Sequence, residues 1–276
     1  MLFRSLSTLL AQIELDDGGL WRSLHVKDRA ILNKPMRIEG VVAGEEVAWQ
    51  GESMTIEKGP GRAFPPEYDQ YRFLKRNSPV IPFEELPKTD GYEALVSGRG
   101  SVGPIQVRVD SKLEYDGLTR FTIRYAPTNG PIKVDRLEIT LDLFDGINGM
   151  FAAREVGGAG FQTFPRDEKE GLLWESASIR GRHPRFKGTF MPMLHLGDGH
   201  YGLQFRAASD EGWLLDDNVS CMRVERRDDA IRLRLLLVNA PATLEKARDV
   251  SFSLMPLPAK NAPPNVRYYI DRKSVV

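Results

Sequence analysis

The chain has 276 residues, of which 41% are hydrophobic, 28% charged and 9% aromatic. Lys and Arg total 38, as do Asp and Glu, so the formal net charge is zero. This is a globular composition: it excludes a fibre, a coiled coil and a disordered tail, and the balanced charge argues against a dedicated nucleic-acid binder.

The first fifteen residues superficially resemble an export signal. Ser5, Ser7 and Thr8 break their apolar run, however, and Glu14, Asp16 and Asp17 follow, so no signal peptide is evident. Ser5–Leu15 reads as a short helix. A second short helix begins at the prolines of Pro65–Lys75, and 76–91, with Pro79, Pro82 and Pro87, reads as a linker or long loop. From there the signals are those of strands. Tyr92–Arg99 alternates loosely, and Pro104–Tyr115 puts Ile105, Val107 and Val109 on one face. Asp116-Gly117 marks a hairpin, from which Phe121, Ile123 and Tyr125 return in period two. After a Pro127–Pro131 turn, Ile132–Leu143 alternates with one slip near Arg136, which predicts a bulge.

Gly157–Gly160 reads as a flexible loop and lacks the context of a phosphate cradle. Gly188–Leu196 and Tyr201–Ala207 are strands around a Gly197–His200 turn. Val219–Glu225 turns through Arg227–Ala230 into Ile231–Val238, and Asp249–Leu257 closes with Val250, Phe252 and Leu254 on one face. In Ile231–Leu235 the alternation puts Ile231, Leu233 and Leu235 in the core and Arg232 and Arg234 outside. Such spacings between turns suit an antiparallel sandwich. No stretch reaches the roughly 20 apolar residues of a membrane-spanning helix.

The candidate chemistry is sparse. Cys221 is the single cysteine, which excludes an intrachain disulfide and a cysteine-built zinc site; it reads as a buried strand thiol. Asp167-Glu168, Asp210-Glu211, Asp216-Asp217 and Asp228-Asp229 read as solvated turns, not as a carboxylate pair held across a sugar. His195 and His200 flank Asp198, but no fourth ligand completes a metal shell, and His25 and His183 stand apart. Asp145–Gly149 starts like a calcium loop without the downstream acidic ligands. Neither a metal nor a cofactor is expected. Trp21, Trp49, Trp174 and Trp213 are the candidates for stacking on a pyranose. Trp213, with Asp210 beside it, and Trp174 are the residues singled out for substrate binding. For Trp213 the alternative is burial between the sheets.

Three stretches carry a resemblance: Gly103–Val109 with Leu113–Ile123, Phe190–Trp213, and Leu235–Leu244 with Val250–Lys260. Together they resemble the β-sandwich region of bacterial glycoside hydrolase family 123-like proteins. The resemblance implies a carbohydrate-active, exported parent acting on N-acetylhexosamine glycans. In that family the sandwich precedes a (β/α)8 barrel, where an adjacent Asp-Glu pair carries the chemistry; this chain ends where that barrel would start.

The fold class expected is all-β: a large antiparallel β-sandwich over 90–265, a less regular N-terminal region over 1–89 with short strands and helices, and a truncated tail over 266–276. Asp271–Val276 can be encoded by GAT CGG AAG AGC GTC GTG, which resembles the start of a common sequencing adapter, so 271–276 is expected to be foreign and the chain a fragment. The function expected is that of a non-catalytic accessory domain that packs on a missing barrel and meets carbohydrate through the parent enzyme. The alternatives are a free-standing carbohydrate-binding, lectin-like module and a ligand-free structural domain.

Overall fold

The computed structural model describes residues 5–62, 88–154, 158–164, 170–178, 186–227 and 229–259. The predicted helix at 65–75, the Asp167-Glu168 pair, His183, Asp228 and the tail from 260 lie outside these residues, as does most of the stretch 76–91. Four strands form a small sheet: β1 (Ser5–Ser7), β2 (Ala11–Leu15), β3 (Trp21–Val26) and β4 (Arg29–Ala30). The others are β5 (Arg37–Val42), β6 (Glu45–Arg62), β7 (Lys88–Val102), β8 (Ile105–Glu114), β9 (Thr119–Pro127), β10 (Ile132–Phe144), β11 (Gly149–Arg154), β12 (Gly158–Thr163), β13 (Gly171–Glu175), β14 (Met193–Gly197), β15 (Gly202–Arg206), β16 (Met222–Arg227), β17 (Ala230–Val238), β18 (Ala242–Leu244) and β19 (Arg248–Leu257). These make one antiparallel ladder of 15 strands. Among the described residues the helical content is a single 3-10 turn at Ser176–Ser178.

The ladder folds on β6. Its first residues pair with β5, and Trp49–Arg62 pairs with β7, with a register slip at Gly51/Ser53. A front layer then runs β6-β7-β8-β9-β19-β15-β14-β11-β12, and a back layer runs β6-β5-β10-β17-β16-β13, with β18 on β10. At the far end Gln162 of β12 donates to the Leu173 carbonyl of β13 (2.8 Å), which links the two last strands. Between the layers one continuous core holds Phe121, Tyr125, Phe205 and Phe252 from the front, and Ile139, Leu141, Leu233 and Leu235 from the back.

The structure replaces three sequence expectations. Ser5–Leu15 is a pair of strands, not a helix. Thr8 closes the turn, its hydroxyl donating to the Ala11 carbonyl and accepting from the Ala11 amide, and β2 then alternates with Ala11, Ile13 and Leu15 buried. Residues 88–91 of the supposed loop already belong to β7, because β6 offers them partners as far as Arg62↔Lys88. Gly158–Gly160 of the supposed flexible loop opens β12: on an edge strand, the β11 backbone supplies the ladder that glycine's own propensity would not.

Much else follows the sequence. Gly117 takes φ +94° in the β8–β9 hairpin, and the Leu118 amide donates to Asp116 (3.1 Å). The bulge predicted near Arg136 is present, as a slip between Val134 and Arg136 against β5. Cys221 is buried at the mouth of β16, its amide donating to the Ser176 and Thr189 hydroxyls.

The alternation of β17 holds with an unexpected consequence. Ile231, Leu233 and Leu235 are core residues, and Arg232 and Arg234 do point to the opposite face. Yet they are not solvated. Asp142 of β10, 1% exposed, takes a fork from Arg232 (2.6 and 2.9 Å) and a third bond from Arg37 (3.1 Å). Glu138, equally buried, takes a fork from Arg234 (2.7 and 2.8 Å), which also reaches Glu225 (2.8 Å). The back layer thus wears a sheet of charge whose members neutralise each other.

Candidate functional site

The outer face of the front layer is built differently. Residues opposite each other in an antiparallel ladder share a face, so the register gives its rows. One row runs Phe161, Phe151, His195, Gln204, Met255 across β12, β11, β14, β15 and β19. Two residues along each strand, about 7 Å away, a second row runs Ala153, Met193, Arg206, Ser253, Arg120, Lys112, Leu95. A third runs Ser251, Thr122, Asp110, Ser97, Thr55.

The second and third rows line an open groove, and the first row runs beside it. One part, of about 640 Å³, is lined by Arg120, Thr122, Met193, Arg206, Ser251 and Ser253 with flanking alanines and Pro192. A second part, of about 370 Å³, shares Arg120 and Thr122 and continues to Glu57, Leu95, Asp110 and Lys112. The cause is side-chain length. At the groove, β19 presents outward the short Ser251 and Ser253, while the strands on either side carry Arg120 and Arg206, so the sheet has a floor between walls.

The polar groups are placed for recognition. The Ser251 and Thr122 hydroxyls lie 3.2 Å apart. The Met193 sulfur is met by Gln204 Nε2 at 4.0 Å and Arg206 Nη2 at 3.4 Å. Burial lowers the His195 pKa, so its imidazole is neutral at pH 7 and offers one donor and one acceptor. At the end of the first row Phe161 is 72% exposed, with Phe151 partly exposed beside it.

The residues singled out from sequence lie elsewhere. Trp213 is 2% exposed with the Phe190 ring against it at 5.2 Å, and Trp174 is 6% exposed, so neither offers a face to a sugar. They are large apolar rings that the core claimed. Asp210 caps a turn, accepting from the Lys187 amide (2.6 Å) while its carbonyl accepts from the Trp213 amide (3.2 Å), and Glu211 follows it in the same turn. Trp21 is buried, and Trp49 is fixed by donating to Asp16 (2.6 Å).

His195 is a strand residue, not a turn residue, whereas His200 is in the turn. Partial burial raises the Asp198 carboxyl, but the Tyr201 and His200 amides and Arg29 outweigh it and keep it ionised. That carboxylate is committed to the turn and to Arg29 (3.1 Å). Among the described residues no group of three or more potential ligands could hold a metal ion. Asp145 is paired with Arg226, and Ile147 in the same turn is buried. The groove residues Arg120, Arg206, Ser251 and Ser253, and Phe161 beside them, were not singled out from sequence, and His195 was weighed there only as a metal ligand. Their one local signal is Ser-Phe-Ser in β19: short hydroxyls at outward positions where long charged side chains are common.

No family model matches the chain, and no curated protein matches it. Solved structures do resemble it. The Slr1438 protein from Synechocystis sp. PCC 6803 has 12% identity and a TM-score of 0.48, covering 93% of this chain and 98% of that one. The GH36 alpha-galactosidase AgaA from Geobacillus stearothermophilus has 9% identity and a TM-score of 0.48, and the likeness spans 91% of this chain but 40% of the enzyme. A galactose mutarotase related enzyme from Lactobacillus acidophilus has 7% identity and a TM-score of 0.44, covering 93% and 98%. At these scores the likenesses carry no functional argument.

Proposed function

We propose that this chain is a carbohydrate-binding β-sandwich module and that the groove on its front layer is the saccharide site. The observation that carries the reading is the row running from Phe161 and Phe151 to His195 and Gln204, beside a trough of hydroxyls. A pyranose needs an apolar ring for its C–H face and a few fixed polar groups for its hydroxyls, and this face offers both. The sequence resemblance to glycoside hydrolase family 123-like proteins supports an accessory role beside a catalytic barrel, on a carbohydrate-active parent. On the back layer, among the described residues, Asp142, Glu138 and Glu225 are taken up by Arg232 and Arg234. Asp110, the best-placed groove carboxylate, is held by Arg108 and Ser97 (2.7 Å each), which suits a binding role better than acid catalysis.

The test is calorimetric titration with a panel of neutral and acidic oligosaccharides, N-acetylhexosamine oligomers included. Saturable binding to at least one, weakened about tenfold by Phe161→Ala or Gln204→Ala (the loss of one stacking or polar contact), is expected. No binding across the panel would leave a ligand-free structural domain as the better account.

A further inference from the structure

The groove has a charge asymmetry. Among the described residues its larger part is lined by two arginines, Arg120 and Arg206, and by no carboxylate, whereas its smaller part carries Glu57 and Asp110. Arg206 stands out within it. Four other cations of this face have acidic partners: Arg108 with Asp110 (2.7 Å), Lys112 with Glu93 (2.6 Å), Arg120 with Glu114 (3.1 Å) and Arg124 with Asp249 (3.1 Å). The Arg206 guanidinium, by contrast, makes no ion pair among the described residues, and its one hydrogen bond there is to the Met193 thioether. A thioether is a weak acceptor and cannot use a guanidinium's planar fork.

Arg120 strengthens the case. It meets Glu114 through Nε, and its outer nitrogens make no hydrogen bond among the described residues. Arg206 and Arg120 flank Ser253 in the ladder, one strand to each side, so their Cα atoms lie roughly 10 Å apart. Two long side chains at that spacing can close on one oxyanion held above the serine. Carboxylates and other oxyanions are the groups this fork binds with two parallel bonds.

We propose that the groove takes an anionic saccharide, with Arg206 and Arg120 holding its charged group over Ser253. The rest of the ligand then lies toward Glu57 and Asp110, where neutral hydroxyls suit the mixed lining. The charged group is a uronate carboxylate or a sulfate ester, which share the oxyanion chemistry. This proposal rests on the saccharide reading above.

The experiment titrates the full chain with four probes: trigalacturonate, its methyl ester, a neutral galactose trisaccharide, and a carrageenan oligosaccharide whose only charge is sulfate. At least one of the two anionic probes binds, and Arg206→Gln weakens it about 10- to 100-fold, the worth of charge-assisted hydrogen bonds. Arg22→Gln, an exposed charge on β3, changes it less than about twofold, as expected for a charge outside the site. The uronate or the sulfated probe binding alone names the source of the charge. Equal binding of trigalacturonate and its methyl ester, without binding of the sulfated probe, overturns the proposal. So does an Arg206→Gln variant that binds the anionic probe normally. In either case binding of the neutral trisaccharide keeps the saccharide reading, whereas silence of all four probes and of the wider panel removes both.

Discussion

Asp142→Asn should be among the most damaging single changes on the back layer. The carboxylate is 1% exposed and accepts three charged hydrogen bonds, two from Arg232 and one from Arg37. Asparagine keeps the shape but replaces one acceptor oxygen by a donor and removes the charge. Arg232, 11% exposed, would then face a neutral amide with little water to replace the lost charge, and Arg37, 33% exposed, would lose its partner at the edge of the site. Breaking one side of a buried pair costs about 3–5 kcal/mol, mostly from the charge left behind. Asp249→Asn is the control. It removes an ion pair with Arg124 of similar length (3.1 Å), but both partners are about half exposed, and surface pairs are worth about 0–1 kcal/mol. Equilibrium urea unfolding of both variants, compared at constant m, measures the difference. The Asp142→Asn, Arg232→Met double variant should recover much of the loss, because it removes the stranded charge. A cost below about 1 kcal/mol for Asp142→Asn would refute the claim that this network is desolvated.

The same carboxylate predicts an acid response. Burial alone would raise the Asp142 pKa, but the hydrogen bond and charge of Arg232, with Arg37 and Lys34, outweigh it and hold the group below the usual carboxylate range. The contribution is therefore present above the unfolded value near 4 and lost as pH falls through the lower folded value. Urea titrations at stepped pH should show a slope there that Asp142→Asn lacks. Leu233→Ala, at a core position 1% exposed between Leu141 and Val224, should cost about 2–5 kcal/mol in the same assay. Cys221 should resist a thiol reagent until the protein unfolds, since burial pushes its thiol pKa up and its surroundings exclude the reagent; rapid labelling in the native state would contradict its placement.

The strands were legible because their signal is local. Period-two alternation marked β8, β9, β10, β17 and β19, short turn motifs marked the hairpins at Asp116-Gly117 and Gly197–His200, and a one-residue slip marked the bulge at Arg136. Short segments misled where pairing outvoted propensity, as in β1 and β2, where the Thr8 turn and the β3 ladder decide, and in β12, where glycines join a neighbour's backbone.

The groove was not legible, because it belongs to no segment. Its walls and floor come from β9, β15 and β19, and only pairing sets Arg120, Ser253 and Arg206 side by side. The tryptophans show the reverse. Their chemistry suggested a sugar platform, but the space between the layers absorbed Trp213 and Trp174, whereas Phe161 is left exposed. The sequence by itself determined that Arg232 and Arg234 turn away from the core. Tertiary structure alone decided that they meet Asp142 and Glu138, 90 and 96 residues away, and so become buried pairs instead of a solvated face. Alternation is a property of one strand, whereas charge neutralisation and concavity depend on which strands lie beside it.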